Sequence, residues 1–194
     1  MNKTFIVVFG KKSSGKTYLC NYLNSHYAIN TIYITKLLEQ KLCTNKEGEK
    51  QYYTLKYLEK NRISALKFLY NEILTIIKES NILAIEGLLN QEDLTFLNKL
   101  YNADCVSIFI ENNDFNLRLE RYINRNGYPK NVAIDKLKKS DLHWQTDYDK
   151  QKQIANFLII NNNSIQTFEL QIDSIIKSII RDNYGENFCL NSSI

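Results

Sequence analysis

Residues 4–17 decide the fold, and they read Thr4-Phe5-Ile6-Val7-Val8-Phe9-Gly10-Lys11-Lys12-Ser13-Ser14-Gly15-Lys16-Thr17. The last eight match the pattern G-x-x-x-x-G-K-[ST], which is typical of a phosphate-binding loop. The apolar run 4–9 predicts a buried strand. Leu19 and Leu23 lie on one face of the following segment, which predicts a helix over about 15–25. Strand, glycine loop and helix in this order form the structural context that the motif requires.

Such a loop binds phosphate through backbone N–H groups that point into it, and the helix N-terminus adds partial positive charge. In this motif the lysine, here Lys16, reaches the β- and γ-phosphates of a nucleotide, and the hydroxyl of Thr17 binds Mg²⁺. We therefore assign the following residues to a nucleotide-binding site: Gly10, Ser13, Ser14, Gly15, Lys16, Thr17 and Tyr18.

Strands and helices alternate along the rest of the chain. This alternation predicts an α/β fold in which a five-stranded parallel sheet carries helices on both faces. Bound phosphate belongs at the carboxyl ends of such strands. Residues 125–150 are polar and predict one short amphipathic helix that contains Val132 and Leu137. The predicted strands are 4–9, 31–34, 82–85, 105–110 and 157–160, and the predicted helices are about 15–25, 35–42, 54–80, 92–101, 114–124 and 164–181.

Composition limits the classes of function. A chain of 194 residues with 44% hydrophobic content predicts a single domain over 1–194. The net charge of +4 suits an anionic substrate, but the longest basic cluster (Lys136, Lys138 and Lys139) is too short to indicate a nucleic-acid surface. No run reaches the ~18 apolar residues that span a membrane, and the first strand begins too early to leave room for a signal peptide. We therefore expect a cytoplasmic protein, either a monomer or a homodimer.

The order of these features resembles that of the nucleoside-monophosphate-kinase-like P-loop proteins, which include adenylate-kinase-type enzymes and dephospho-CoA kinases. The likeness extends over nearly all of residues 4–181. It implies a three-layer α/β/α P-loop NTPase fold with ATP and Mg²⁺ as cofactors. It also implies an acceptor-binding helical region at about 35–80 and a mobile lid at about 126–150.

The end of the second strand resembles the start of an acceptor-binding helix. Residues 34–39 read Ile-Thr-Lys-Leu-Leu-Glu, where nucleoside monophosphate kinases have Ser/Thr-x-x-Leu-Leu-Arg. The resemblance implies that Thr35 caps this helix near the acceptor phosphate and that Leu38 contacts the acceptor. Glu39 stands where the family usually has an arginine for that phosphate. An ordinary threonine cap without a ligand is the alternative.

The third strand ends in Glu86-Gly87, which resembles the Asp-Gly or Glu-Gly strand end of small-molecule kinases. The resemblance implies that Glu86 holds Mg²⁺ through its waters or orients the acceptor hydroxyl, with Gly87 on the acceptor side. An acid beside a phosphate loop at the end of a buried strand needs a cationic or polar partner. The alternative is a solvated glutamate.

The helix after the fourth strand carries Arg118, Arg121 and Arg125, three of the five arginines in the chain. Arg121 and Arg125 are four residues apart and therefore share a helix face. The pair is similar to the Arg-x-x-x-Arg at the start of the lid in adenylate kinases and dephospho-CoA kinases. The resemblance implies catalytic roles in which Arg121 stacks on the donor adenine and Arg125 contacts phosphates. The alternative is a solvated face that pairs with Glu120 and Asp114.

Residues 154–162 read Ile-Ala-Asn-Phe-Leu-Ile-Ile-Asn-Asn and look like the Ala-Asp-x-x-Ile-x-Asn last strand of dephospho-CoA kinases. The resemblance implies that Asn161 and Asn162 lie beside the donor base. The alternative is an asparagine-rich turn.

These resemblances imply a kinase that transfers the γ-phosphoryl group of ATP to a nucleoside monophosphate or a similar small nucleotide. Dephospho-CoA kinase is an alternative: the last strand favours it, whereas Ile34-Thr35 stands where its pattern has an aspartate. A non-catalytic nucleotide-binding switch is an alternative of another class. The base-reading motif Asn-Lys-x-Asp of G proteins is absent, because Asn98-Lys99 lacks the aspartate.

Overall fold

The structure is a computed structural model that describes residues 3–42, 67, 70–78, 80–87 and 91–184. Its strands are β1 (Lys3–Gly10), β2 (Asn30–Tyr33), β3 (Ile82–Glu86), β4 (Ala103–Glu111) and β5 (Phe157–Ile160). Its helices are α1 (Lys16–Tyr27), α2 (Ile34–Leu42), α3 (Tyr70–Lys78), α4 (Gln91–Tyr101), α5 (Phe115–Asn126), α6 (Lys130–His143), α7 (Gln145–Ile154) and α8 (Ile165–Tyr184).

The strands form one parallel sheet in the order β2-β3-β1-β4-β5. The central strand β1 leads into the glycine loop. Val8 of β1 is in register with Glu86 of β3, and Gly10 is in register with Ile110 of β4. The carboxyl ends of β3 and β4 therefore flank the loop, as the parallel α/β prediction requires.

Alternate residues of β1 pack into two separate cores. Phe5, Val7 and Phe9 belong to a cluster with side chains of α3, α4 and α7, whereas Ile6 and Val8 belong to a cluster with α1 and α8. Because both faces of β1 are covered, the strand is apolar along its length rather than alternating. The predicted three-layer α/β/α arrangement with a five-stranded parallel sheet is confirmed.

The predicted boundary between the second strand and the helix that follows it is wrong. Helix α2 begins at Ile34, so Thr35 lies in its first turn and is not the cap. The strand stops at Tyr33 because Tyr33 pairs with Glu86, the last residue of β3. The predicted helix 54–80 ends at Lys78, and most of its predicted range lies outside the described residues.

The polar segment 125–150 contains more structure than the sequence predicted. Helices α6 and α7 occupy most of it, where we expected one short helix. Ala133 and Leu137, four residues apart, are fully buried against Leu119 and Tyr122 of α5. Val132, which we placed on the apolar face, is 36% exposed. Two apolar side chains four residues apart are therefore enough to pack α6 against α5.

Helix α8 packs along α1 through paired tyrosines and acids. The hydroxyl of Tyr22 donates to Asp173 at 3.0 Å, the hydroxyl of Tyr27 donates to the same carboxylate at 2.7 Å, and Tyr18 donates to Glu169. Across the ranges that the structure describes, no helix has both the length and the apolar character to cross a bilayer.

Candidate active site

The glycine loop lies where the sequence predicts it, between the end of β1 and the start of α1. Two glycines are required by close packing and by positive φ angles. A Cβ on Gly10, at φ 138°, would lie 2.6 Å from the carbonyl oxygen of Ile110. A Cβ on Gly15, at φ 116°, would collide with the side-chain amide of Asn161. The glycine spacing of the motif therefore has a steric cause in this chain.

The side chain of Lys16 folds back over the loop. Its Nζ donates to the carbonyl oxygens of Gly10 at 2.8 Å and Lys11 at 3.0 Å. An ammonium group has three hydrogens, so one remains for a ligand. Burial lowers the pKa of Lys16, and the nearby Glu86 carboxylate opposes this shift by favouring the charged form. The arrangement holds a cation at the rim of the loop with one donor available.

Thr17 and Glu86 lie together, as the sequence predicts. The hydroxyl of Thr17 donates to Oε2 of Glu86 at 3.3 Å, because the register of β1 with β3 brings the two strand ends side by side. A hydroxyl and a carboxylate are ligands that suit Mg²⁺, which binds few protein groups and shares its shell with waters and phosphates. In the described part of the chain, no cluster of three or more His, Cys, Asp or Glu could hold a metal by itself.

Several cations surround the loop. Burial lowers the pKa of Lys12, and the neighbouring cations Arg125, Lys136 and Lys16 lower it further. Two of them lie over the ring of Tyr122, with Nζ of Lys12 5.3 Å and Cζ of Arg125 5.9 Å from the centre of the ring. Like charges held this close repel one another, and a bound polyanion would relieve that repulsion.

Five buried polar atoms around the site have no hydrogen-bond partner within the described residues. Four are donors, namely the hydroxyls of Ser13 and Ser14, Nε of Arg118 and Nη1 of Arg121, and the fifth is the acceptor Oδ1 of Asn112. Buried polar groups without partners are costly and uncommon in folded proteins. A ligand with several phosphate oxygens would supply acceptors for such groups. The residues present therefore fit a nucleotide polyphosphate with Mg²⁺.

The three arginines of α5 have three different environments. Arg118 is 3% exposed and forms a two-pronged ion pair with Asp141 of α6. Nη2 of Arg121 donates to Oδ1 of Asn161 at 3.2 Å, and burial lowers the pKa of Arg121. Arg125 is exposed and lies over the ring of Tyr122. Sequence reasoning missed the pairing of Arg118, because nothing in the pattern pointed to a partner 23 residues away.

The side chain of Asn161 is buried and joins the end of β5 to the phosphate loop, so Asn161 is not part of a solvated turn. It is 4% exposed, and its side-chain amide donates to the carbonyl oxygen of Ser14 at 2.7 Å. Its own carbonyl accepts a hydrogen bond from the side chain of Asn112, which directly follows β4. Sequence reasoning missed Asn112; its one signal was a polar residue at the end of a buried strand.

Of the predicted acceptor residues, the structure brings Thr35 and Gly87 together. A Cβ on Gly87 would lie 3.1 Å from Oγ1 of Thr35, so these residues meet beside Glu86 at the ends of β2 and β3. Leu38 lies in α2, and its side chain is outside the described part. Tyr18, assigned to the nucleotide, bonds to Glu169 of α8 and has a side chain that is 37% exposed.

Comparison with known proteins establishes the fold. No protein-family model matches the chain, and no curated protein matches it. TT1252 from Thermus thermophilus aligns with a TM-score of 0.62 at 15% identity, over 92% of this chain and 99% of that one. Shikimate kinase from Acinetobacter baumannii, in complex with shikimate, aligns at 0.55 and 18% identity, over 95% and 96%. Dephospho-CoA kinase from Campylobacter jejuni aligns at 0.52 and 16% identity, over 91% and 97%. The chain therefore has a P-loop kinase-like fold, which confirms the resemblance seen in the sequence.

Proposed function

We propose that this protein is an ATP-dependent phosphotransferase that acts on a nucleoside monophosphate or a similar small nucleotide. The observation that carries the proposal is the arrangement of Lys16, Thr17 and Glu86 around the glycine loop. Lys16 has one donor available at the loop, and Thr17 at the start of α1 and Glu86 at the end of β3 present oxygens 3.3 Å apart. This combination suits phosphoryl transfer, which depends on positioning and charge stabilisation.

The chain's own groups would do the following. Lys16 and the loop N–H groups bind the transferring phosphoryl group and stabilise its developing charge. Arg125, close to the loop and exposed, adds a second cation there. Bound Mg²⁺ would neutralise charge on the β- and γ-phosphates, and Thr17 and Glu86 are the residues that would hold it.

The two ends of the site suggest where each substrate lies. Arg121, fixed by Asn161 at the ends of β4 and β5, belongs to the donor-base side. Thr35, Gly87 and the predicted contact Leu38 belong to the acceptor side, at the ends of β2 and β3. Glu86 lies between the two sides, where a carboxylate can serve the metal or orient an acceptor hydroxyl. A cytoplasmic location and a monomeric or homodimeric state remain predictions from the sequence.

Dephospho-CoA kinase is a second candidate. The observation that favours it is the position of Asn161 after the last strand. The sequence around this strand resembles that of dephospho-CoA kinases, and the Asn161 side chain bonds to the phosphate loop. The absence of an aspartate at Ile34-Thr35 speaks against it. The fold likeness to a shikimate kinase makes a hydroxy acid a further acceptor to test.

An acceptor screen tests the proposal. Purified protein is incubated with MgATP and, separately, with AMP, CMP, dTMP, dephospho-CoA and shikimate, and ADP is measured with a coupled assay. Mass spectrometry then identifies the phosphorylated acceptor. Turnover that depends on a nucleoside monophosphate supports the proposal, and turnover with dephospho-CoA supports the second candidate. ATP binding without turnover on any acceptor would instead indicate a non-catalytic nucleotide-binding module.

A further inference from the structure

We propose that Arg118 and Asn161 are positioning residues that orient two peptide groups of the phosphate loop. By holding the carbonyls of Lys12 and Ser14, they would turn the N–H groups of Ser13 and Gly15 towards bound phosphate. The inference rests on the proposed function only in taking a polyphosphate as the ligand.

The first observation is that both side chains lie outside the loop and donate hydrogen bonds to loop carbonyls. Nη1 of Arg118, on α5, donates to the carbonyl oxygen of Lys12 at 3.3 Å. Nδ2 of Asn161, after β5, donates to the carbonyl oxygen of Ser14 at 2.7 Å. Each contact joins the loop to a residue more than 100 positions away in sequence.

The second step follows from peptide geometry. In a trans peptide group the C=O of one residue and the N–H of the next point in opposite directions, and the described residues contain no cis peptide bond. A carbonyl of Lys12 held towards α5 therefore turns the N–H of Ser13 the other way. In the same manner, the contact from Asn161 orients the N–H of Gly15.

The third observation is that other side chains of the protein hold both residues in place. Arg118 is 3% exposed and is held by Asp141, whereas Asn161 is 4% exposed and is held by Arg121 and Asn112. Lys16 differs, because it bonds to loop carbonyls but is also expected to contact the ligand. Arg118 and Asn161 act instead through other groups of the protein, because both hold the loop backbone and Asn161 also holds Arg121.

The loop needs such support. Ser13 has a φ of 62°, a left-handed conformation that costs a non-glycine residue roughly 1–2 kcal/mol. The carbonyl of Lys12 belongs to the peptide group that directly precedes Ser13, and the carbonyl of Ser14 belongs to the peptide group that joins Ser14 to Gly15. External donors on the carbonyls of Lys12 and Ser14 stabilise this strained segment in one conformation.

The two residues should differ in one respect. Asn161 also accepts a hydrogen bond from Arg121, the predicted donor-base residue, whereas Arg118 pairs with Asp141. Loss of Asn161 should weaken binding of both the phosphates and the base. Loss of the Arg118 contact should weaken binding of the phosphates alone.

Binding and NMR measurements on matched variants test the proposal. Asn161→Ala removes one donor, and Arg118→Lys keeps the charge beside Asp141 but loses the fork that reaches both partners. The controls are Asn163→Ala and Arg181→Lys, both at exposed positions. Calorimetry with magnesium tripolyphosphate should show about tenfold weaker binding for each test variant and less than twofold change for each control. With MgATP, the loss should be larger for Asn161→Ala than for Arg118→Lys.

The NMR readout separates positioning from a general loss of structure. Tripolyphosphate should shift the amide resonances of Ser13 and Gly15 in the wild-type protein. Arg118→Lys should reduce the shift at Ser13, and Asn161→Ala should reduce the shift at Gly15. If Asn161→Ala does not fold, Asn161→Leu, which retains volume but lacks the donor, replaces it.

Three outcomes would overturn one or both proposals. Variants that bind tripolyphosphate like the wild type, with unchanged amide shifts, overturn the inference while leaving the proposed function intact. Wild-type protein that binds both polyphosphates but phosphorylates no acceptor overturns the proposed function alone, and the predicted variant effects would then still support the inference. A wild-type protein that binds neither MgATP nor tripolyphosphate overturns both.

Discussion

Replacing Lys16 with methionine should abolish most phosphoryl transfer and leave the fold intact. Lys16 has three donors, of which two bond to the carbonyls of Gly10 and Lys11 and one remains for the transferring phosphoryl group. Removing a single donor aimed at developing charge costs about 2.7–4 kcal/mol of transition-state stabilisation, which corresponds to a 10²–10³-fold lower kcat. Methionine keeps an unbranched side chain that ends where the ammonium group would begin, so the loss should come from the ammonium group.

The expected change in stability is small because two effects oppose each other. The variant loses two charge-assisted hydrogen bonds, each worth about 1.5–3 kcal/mol. It also no longer buries an ammonium group, whose desolvation costs several kcal/mol, and it removes one cation from the repulsion with Lys12. We therefore expect an unfolding free energy within about 2 kcal/mol of the wild type.

The assay is steady-state kinetics with the acceptor that the screen identifies, together with urea unfolding of both proteins. Lys177→Met, an exposed substitution on α8, is the matched control and should retain wild-type turnover. A Lys16→Met enzyme that is well folded and turns over within tenfold of the wild type would refute the role of Lys16. A large loss of stability would show that the two carbonyl contacts matter more than the cost of burying the charge.

Three further predictions concern the scaffold and the lid. Ala28, the C-cap of α1, has a φ of 52°, so Ala28→Gly should raise the unfolding free energy by about 0.5–1 kcal/mol; an unchanged or lower urea midpoint would contradict this. Burial raises the pKa of Tyr148 to about 12, above the value near 10 that tyrosine has in an unfolded chain. The contribution of protonated Tyr148 to the unfolding free energy is therefore complete below about pH 10 and is lost as the pH rises towards 12. Urea unfolding between pH 9 and pH 12 should show this loss, and Tyr148→Phe should reduce it. Residues of about 126–150 should gain protection from hydrogen exchange when ATP and acceptor bind together, because they follow the arginine pair and approach the loop through Lys136; equal exchange with and without ligands would exclude a closing lid.

The parts of the site that were predictable from sequence are those in which chemistry and local geometry coincide. The glycines, Lys16 and Thr17 lie within eight residues, and their spacing is itself the geometry of a strand–loop–helix turn. Glu86 was predictable because parallel strands align their carboxyl ends, so an acid at one end meets a loop at the next. The structure places it 3.3 Å from Thr17.

The contacts that sequence reasoning missed join residues far apart in the chain. Arg118 and Asp141 are 23 residues apart, and Asn112 and Asn161 are 49 apart. Such pairs leave no periodic signal, since they depend on how α5, α6 and β5 pack around the loop. The sequence predicted one short helix where two lie between residues 130 and 154, for a related reason. It identified Leu137 but not Ala133, because a single alanine does not stand out from polar neighbours, although both side chains are fully buried.

The environments of Arg121 and Arg125 give a physical basis for separating their proposed roles. The two are four residues apart on one helix face, yet only Arg121 is tied to the end of β5 by Asn161. A guanidinium group held in this way is oriented before binding, as suits a group that contacts the donor base in both the ground state and the transition state. Arg125 is exposed, lies over Tyr122 and is close to Lys12, where its attraction to the transferring group would strengthen as negative charge develops on that group. Asn161 therefore connects the proposed donor-base side of the site with the phosphate loop, because one side chain contacts both Arg121 and the loop carbonyl of Ser14.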